Sequence, residues 1–112
     1  IDVSDWSSYR GGPQRQSASP VPIADQVRLL WQRRPKASDA ASAPVTACGL
    51  VFWSGPDGVV YAVEVESGRV VWRACTGGGV HFPPEVWCGR VYVGSADGCV
   101  YCFDAASGQQ QP

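Results

Sequence analysis

The strongest constraint on this chain is an internal repeat. Residues 44–72 and residues 84–112 align without a gap at a shift of 40 positions. Most of the identical pairs are turn residues, which rarely match by chance at one fixed spacing. A period near 40 is typical of chains that stack small supersecondary units, as solenoids and propellers do. The identical pairs are Pro44/Pro84, Cys48/Cys88, Gly49/Gly89, Val51/Val91, Asp57/Asp97, Gly58/Gly98, Val60/Val100, Tyr61/Tyr101, Ser67/Ser107 and Gly68/Gly108.

Each repeat predicts four short strands joined by three tight turns. The turn pairs are Cys48-Gly49, Asp57-Gly58 and Ser67-Gly68 in the first unit, and Cys88-Gly89, Asp97-Gly98 and Ser107-Gly108 in the second. The two Asp-Gly pairs indicate type I′ hairpins, in which both central residues take positive φ. The segments 50–54, 59–65 and 70–74 are rich in β-branched and aromatic residues, which favour strands. No window free of Gly or Pro has the 3.6-residue apolar period of a helix.

The predicted fold class is therefore all-β, with β-propeller blades of four antiparallel strands. Trp31 lies 41 positions before Trp72, which indicates that it belongs to an outer strand of its own. We divide the chain into an irregular lead-in at 1–26, the outer strand of an incomplete blade at 27–34, a first blade repeat at 44–75, and a second at 83–112 that lacks its last strand. The total is about two blades' worth of strands, so missing sequence or another copy must supply the exchanged strand that closes a ring.

The first repeat resembles the tryptophan-docking motif of pyrroloquinoline-quinone-like (PQQ-like) β-propeller repeats. That motif reads Ala-x-Asp-x-x-Thr-Gly-Lys-x-x-Trp, and its six positions are occupied here by Ala62, Glu64, Ser67, Gly68, Arg69 and Trp72. The second repeat keeps Asp104, Ser107 and Gly108, and carries Cys102, Gln109 and Pro112 at the Ala, Lys and Trp positions. The chain is similar to the N-terminal portion of bacterial proteins with such repeats. The resemblance implies that Trp72 and Trp31 pack between adjacent blades and stabilise the fold.

The resemblance also bears on cofactors and on location. Dehydrogenases of this family bind PQQ together with calcium, which is held by carboxylate and amide ligands. The chain has no asparagine and no acidic cluster apart from Glu64 and Glu66. No cofactor is therefore evident, and PQQ and calcium are expected only if missing blades supply the site. The family implies the periplasm or the cell envelope, while the odd number of five cysteines leaves the cytoplasm open.

Charge and composition exclude two classes of partner. The formal net charge is -1, so the chain lacks the basic stripe that binds a nucleic-acid backbone. No apolar run approaches the roughly 20 residues that span a bilayer, so no transmembrane segment is predicted. The chain begins at Ile1 and contains no methionine, which indicates a processed chain or a piece of a longer one. The expected partners are the remaining blades of a parent protein or further copies of this chain, and a protein ligand is also compatible.

Three further features have both a chemical and a structural interpretation. Cys99 and Cys102 form a C-x-x-C that suits a redox pair or half a zinc site, but on a strand they are packed thiols. Residues 76–79 resemble a phosphate-binding loop, but the two prolines at 83–84 exclude the helix that such a loop needs. His81 is the only histidine and is a weak candidate for lining the central channel, since no nucleophile accompanies it as a general base. We favour the structural interpretation in each case.

The sequence thus predicts a non-catalytic propeller scaffold or binding module, part of a larger propeller that binds a protein or a ligand. One alternative is a fragment of a PQQ-dependent dehydrogenase. A second is a self-assembling propeller subunit. No catalytic residue and no metal ligand is assigned, and fold alone does not determine which of the three applies.

Overall fold

The computed structural model describes residues 7–11, 26, 28–33 and 41–111, and its strands form two antiparallel sheets. The strands are β1 (Val45–Ala47), β2 (Leu50–Ser54), β3 (Val59–Glu64), β4 (Val70–Cys75), β5 (Glu85–Trp87), β6 (Arg90–Gly94) and β7 (Val100–Asp104). We call the sheet β1-β2-β3-β4 blade 1 and the sheet β5-β6-β7 blade 2. The predicted all-β fold class is confirmed. A short 3-10 helix covers Tyr9–Gly11, and none of the described residues forms a helix long and apolar enough to cross a membrane.

The two blades pair their strands in the same register. In blade 1 Leu50 of β2 lies opposite Glu64 of β3, and forty positions later Arg90 of β6 lies opposite Asp104 of β7. Register follows the alternation of side chains between the two faces, because a slip of one residue would turn every buried side chain outward. The sequence repeat is therefore a repeat of backbone pairing as well as of composition.

The structure adds one segment that the sequence analysis does not assign to a strand. Gln110 forms a single bridge with Phe103 of β7, which corresponds to the pairing of Val70 with Val63 in blade 1. Residues 109–111 thus begin a fourth strand beside β7. Pro112, which stands at the position of the docking tryptophan, lies outside the described residues.

The hairpin turns differ from the prediction in their backbone conformation. Positive φ at both central residues occurs at Cys48 (56°) and Gly49 (72°), in the two-residue loop between β1 and β2. The type I′ turn predicted at Asp57-Gly58 is wrong, because only Gly58 there has positive φ (79°). The Asp57 carboxylate accepts the backbone N–H of Val59 at 3.0 Å and so closes an Asx turn without a left-handed aspartate. The second repeat behaves in the same way, with Cys88 at 52° and the N–H of residue 99 donating to the Asp97 carboxylate.

The hydrophobic core lies where blade 1 faces blade 2. Alternate residues of β1, β2 and β3 point toward blade 2, while alternate residues of β6 and β7 point back. The buried apolar residues of this interface are Val45, Ala47, Leu50, Phe52, Val60, Ala62, Trp72, Val80, Val86, Val91, Val93, Phe103 and Ala105. Most of this core is formed between the sheets, so each blade depends on its neighbour for burial.

Residues 28–33, from the outer strand predicted at 27–34, form no ladder with the described strands. A strand is stabilised by hydrogen bonds to a neighbouring strand. The segment is held instead by side chains of its own that reach blade 1. The rest of the predicted outer strand, and most of the lead-in at 1–26, lie outside the described residues. Within the lead-in, the carbonyl of Ser7 accepts the N–H of Val86 on β5 at 2.8 Å.

Candidate functional site

The junction between the two blades contains a buried tryptophan from blade 1. The indole Nε1–H of Trp72 donates to the carbonyl of Ala105 in blade 2 at 2.8 Å. The rings of Phe52 and Phe103 both contact Trp72, each tilted and with its centroid 6.0 Å away. Trp72 is only 8% exposed. This single side chain therefore buries a large apolar ring and satisfies its one donor across the interface.

A glycine in blade 2 makes room for that ring. A Cβ built on Gly108 would lie 2.5 Å from Cδ2 of Trp72, which is far inside van der Waals contact. The φ of Gly108 is +75°, a conformation that glycine adopts without steric cost. Both the close approach and the backbone angle require glycine at this position.

A second tryptophan contacts blade 1 from the opposite side. The Nε1–H of Trp31 donates to the carbonyl of Val65 at 2.7 Å, and a Cβ on Gly68 would lie 2.6 Å from the Trp31 ring. Arg33 adds a hydrogen bond from its Nη1 to the carbonyl of Gly68 at 3.0 Å. No sequence pattern points to this role of Arg33, because its acceptor is a backbone carbonyl. We call these two arrangements the Trp72 docking site and the Trp31 docking site.

Each docking site is linked to the innermost turn of the blade that receives the tryptophan. The residue whose carbonyl accepts the indole N–H also donates its own backbone N–H to that turn. Ala105 donates to the carbonyl of Gly89 at 2.9 Å, and Val65 donates to the carbonyl of Gly49 at 3.2 Å. An outer strand of one blade is thereby connected to the inner hairpin of the next.

The polar residues of the docking motif in blade 1 hold the turn that receives Trp31. Ser67 Oγ donates to Glu64 Oε1 at 2.6 Å, and Arg69 Nη2 donates to Glu64 Oε2 at 3.1 Å. The hydrogen bond from Arg69, with that from Ser67, holds the pKa of Glu64 below its usual value of 4.5. The same carboxylate raises the pKa of Arg69. Because these groups are exposed, the network shapes the turn and does not form a reactive site.

The corresponding turn of blade 2 is held by fewer groups. Both the backbone N–H and Oγ–H of Ser107 donate to Asp104 Oδ2 at 2.9 Å. These hydrogen bonds lower the pKa of Asp104, and the charge of Arg90 lowers it further. Gln109 stands where blade 1 has Arg69, so the second turn has no ion pair at the equivalent position.

The glycine run at 77–79 forms a close crossing between the blades. The N–H of Gly77 donates to the hydroxyl of Tyr101 at 3.0 Å, and that hydroxyl donates to Asp97 Oδ2. A Cβ on Gly77 or on Gly78 would lie within 3 Å of Asp97. The hydrogen bond from Tyr101 lowers the pKa of Asp97, and the Asp97 carboxylate raises the pKa of Tyr101. The glycines are thus explained by backbone approach to the blade 2 turn, and the tyrosine repeated in both units is the signal that sequence reasoning left unused.

The other candidates from the sequence stand apart from one another. His81 is exposed in the link between the blades, and its ring lies beside Gly79. All five cysteines are free thiols, and Cys102 is the only one among them that is half-buried. In the part of the chain that the structure describes, no three His, Cys, Asp or Glu side chains converge as metal ligands do. Calcium takes six to eight oxygen ligands, and the described carboxylates, at 57, 64, 66, 85, 97 and 104, do not converge in groups of three. These residues do not fit the calcium and PQQ site that the family's dehydrogenases contain.

Comparison with known proteins agrees with this architecture. The family model described as "Outer membrane protein assembly factor BamB" matches residues 23–111. A quinoprotein ethanol dehydrogenase of Pseudomonas aeruginosa is 32% identical over 60 residues, which are 54% of this chain and 10% of that protein. A quinohemoprotein alcohol dehydrogenase of Pseudomonas putida superposes with a TM-score of 0.82 at 28% identity, over 97% of this chain and 18% of that one.

A second solved structure shows the fold alone. BamB of Moraxella catarrhalis superposes with a TM-score of 0.52 at 18% identity, over 55% of this chain and 19% of that one. This chain therefore spans between a tenth and a fifth of the length of the relatives it matches.

Proposed function

The chain belongs to the PQQ-like β-propeller family described as outer membrane protein assembly factor BamB, and from this premise we propose that it is a non-catalytic section of a propeller scaffold that binds a protein or ligand. The observation that carries the proposal is that the polar side chains of the chain form hydrogen bonds within the fold. Glu64, Ser67, Asp104 and Ser107 cap the docking turns, while Tyr101 and Asp97 hold the crossing between the blades. Groups engaged in this way stabilise a rigid surface.

The buried groups support the same proposal. Trp72 is buried and its indole N–H is bonded, so it presents nothing to a substrate. Ser54 is the other deeply buried polar side chain with a partner, and its Oγ pairs with the Ser42 hydroxyl at 3.3 Å. Among the described residues, neither group has the adjacent base that a nucleophile needs. The function that the described residues support is binding at a rigid β-sheet surface.

A protein is the ligand class that this surface fits best. The link between the blades exposes Phe82, which is 78% accessible, next to the exposed imidazole of His81. Exposed aromatic residues on rigid loops are frequent at protein–protein contacts. The family description, that of an assembly factor, supports a protein partner as well.

A section of a quinone-dependent dehydrogenase is the second candidate. It is favoured by the superposition on the quinohemoprotein alcohol dehydrogenase over 97% of this chain. In that case the cofactor site would belong to other blades, because the described carboxylates do not converge. When bound, PQQ supplies two-electron redox chemistry. The residues of this chain would then only support, as part of the propeller, the blades that bind the cofactor.

Equilibrium dialysis of the 112-residue chain against PQQ, with and without calcium, tests one part of the proposal, namely that the residues of this section do not themselves bind the quinone. We expect equal PQQ absorbance on both sides of the membrane in each condition. Asp97→Asn is the matched control, because Asp97 is an exposed carboxylate in a turn of blade 2. Calcium-dependent retention of PQQ that Asp97→Asn abolishes would overturn the scaffold proposal and favour the dehydrogenase.

A further inference from the structure

We propose that Asp57-Gly58 is a site of spontaneous covalent modification, at which Asp57 converts to isoaspartate through a cyclic imide. The equivalent Asp97-Gly98 of blade 2 is its protected counterpart. Each pair lies in the turn between the second and third strands of its blade. A following glycine favours the reaction, because it has no Cβ to hinder the approach of its nitrogen. The modification is independent of what the propeller binds.

The reaction requires only the chain itself and water. The backbone nitrogen of Gly58 bonds to Cγ of the protonated Asp57 carboxyl, the nitrogen loses its proton, and the carboxyl OH leaves as water. Water then opens the five-membered ring at one of its two carbonyl carbons. Attack on the original main-chain carbonyl leaves the chain running through Cγ, which is isoaspartate, while attack on Cγ restores aspartate. No oxidant or reductant takes part.

The two turns have the same backbone arrangement, so they form a matched pair. The N–H of Gly58 donates to the carbonyl of Gly55 at 3.0 Å, and the N–H of Gly98 donates to the carbonyl of Ser95 at 3.1 Å. Both glycines have positive φ, 79° and 90°. A difference in reaction rate between the turns must therefore come from the carboxyl groups or from the packing around them.

The carboxylate of Asp97 is held by two kinds of donor. The hydroxyl of Tyr101 donates to its Oδ2, and the N–H of Cys99 donates to its Oδ1 at 2.9 Å. The hydrogen bond from Tyr101, with that from Cys99, lowers the pKa of Asp97. These contacts reduce the protonated fraction that can react, and they oppose the rotation of the side chain that ring closure requires.

In the part of the chain that the structure describes, no hydroxyl donates to Asp57. Its exposed carboxylate accepts the N–H of Val59 at 3.0 Å. Tyr61 stands where blade 2 has Tyr101, but its ring stacks on Trp53, with the centroids 5.4 Å apart and the planes at 19°. Blade 2 has Val93 at the position of Trp53, so this stacking is specific to blade 1. The side chain of Asp57 is thus freer to rotate toward the nitrogen of the next residue.

One feature opposes reaction at Asp57. Gly58 is buried, and a Cβ there would lie 2.6 Å from the carbonyl oxygen of Gly78, whereas Gly98 is exposed and its Cβ position has no atom within 4 Å. Ring closure moves the aspartate side chain onto the glycine nitrogen. The hydrogen bonds of the carboxylate therefore outweigh the space around the glycine.

The packing of this turn gives the modification a structural effect. The carbonyl of Gly58 accepts the N–H of Thr76 at 2.8 Å and its Oγ1–H at 3.0 Å, and the carbonyl of Gly55 accepts the N–H of Val80 at 3.0 Å. Thr76 and Val80 belong to the link between the blades. Isoaspartate adds a methylene group to the main chain at Asp57, which displaces these acceptors. Modification of the turn should therefore loosen the junction between the blades.

Incubation of the full chain for several weeks at about pH 6 and about 37 °C, followed by peptide mapping, tests the proposal. Trypsin cleaves after Lys36, Arg69 and Arg90, which places the two sites in separate peptides, and electron-transfer fragmentation locates isoaspartate in each. We expect isoaspartate to form at least about fivefold faster at Asp57 than at Asp97, whose charge-assisted hydrogen bond must first break. In about 6 M guanidinium chloride the two rates should agree within about twofold, because the fold is absent.

Two tyrosine variants form a matched control. Tyr101→Phe removes the hydroxyl that donates to Asp97 and should raise the rate at Asp97 at least about threefold. Tyr61→Phe should leave the rate at Asp57 unchanged, because the Tyr61 ring stacks on Trp53. Asp57→Ser keeps an acceptor for the Val59 N–H and should prevent the decrease in the urea midpoint that incubation causes in the unsubstituted chain.

Four outcomes would overturn the proposal. They are an absence of isoaspartate at Asp57, equal rates at the two sites in the folded chain, faster reaction at Asp97, and a difference between the sites that persists in guanidinium chloride. The last outcome would assign the difference to the neighbouring sequence and not to the hydrogen bonds of the fold.

Discussion

The Trp72 and Trp31 docking sites use the same backbone geometry in different environments. Each tryptophan donates to a carbonyl and lies against a glycine with positive φ. Trp72 is buried and contacts the rings of Phe52 and Phe103. Trp31 is half-exposed, and the turn that receives it accepts a hydrogen bond from Arg33 at Gly68. The comparison teaches that the motif specifies how a tryptophan approaches a turn, while the neighbouring blades determine how much free energy the contact contributes.

The largest expected effect comes from removing the buried ring. Trp72→Ala should lower the free energy of unfolding by about 3–5 kcal/mol, because it leaves a cavity between two aromatic rings. Trp31→Ala should cost about 1–2 kcal/mol, since much of that ring already faces water. Urea denaturation of the full chain, followed by circular dichroism, measures both values. Equal losses would contradict the difference between the two sites.

Substitutions of the two glycines that contact the tryptophans, Gly108 and Gly68, test the same difference between the docking sites. Gly108→Ala places a methyl group against the Trp72 ring and adds left-handed strain, so a loss of about 2–4 kcal/mol is expected. Gly68→Ala should cost less, about 1–2 kcal/mol, because the half-exposed Trp31 can move away from the methyl group. The same denaturation experiment checks the order. Gly49→Ala is the control, since it has a similar φ of +72° and no atom within 4 Å of its Cβ position.

Acid should distinguish the two docking turns by their carboxylates. The pKa of Glu64 is lowered chiefly by its hydrogen bond with Arg69, and that of Asp104 chiefly by its hydrogen bonds with Ser107. A lowered pKa in the folded state stabilises the protein above the unfolded value, 4.5 for Glu64 and 3.8 for Asp104, and this stability is lost as the pH falls through the folded pKa. The urea concentration at the denaturation midpoint, measured at several values between pH 7 and pH 2, should therefore decrease once the pH is below about 4.5. Glu64→Gln should reduce the slope of that fall, and an unchanged slope would contradict the assignment.

The smallest effect is expected at Arg33. Arg33→Ala removes one hydrogen bond from an exposed side chain to the Gly68 carbonyl, which should cost less than about 1 kcal/mol. The more specific readout is the emission of Trp31, taken as the difference between spectra of the chain with and without Trp31→Phe because the sequence has four other tryptophans. This emission should shift to longer wavelength as the indole becomes more hydrated. An emission maximum that does not move would show that Arg33 contributes nothing to holding the ring.

The resemblance to the family's docking motif implied the role of Trp72 and Trp31, with the 41-residue spacing relating Trp31 to Trp72, and the structure places both rings against the glycines of the motif. Sequence reasoning predicted the wrong turn type at Asp57-Gly58, because the aspartate side chain offers the backbone a local hydrogen bond that spacing does not reveal. It also missed the crossing of Gly77 over Asp97 and Tyr101, which depends on how two blades approach one another. Errors of this kind arise wherever one local sequence pattern is compatible with more than one tertiary arrangement.

By itself, the sequence determined the all-β class, the period of 40 residues and the residues that recur in each turn. These properties are local, since turn residues and strand-forming side chains act within a few positions of one another. Only the tertiary structure decided which tryptophan is buried, which glycine a ring contacts and where residues 109–111 pair. Those outcomes depend on surfaces some forty positions apart in the chain, whose distance and orientation are set when the blades pack together.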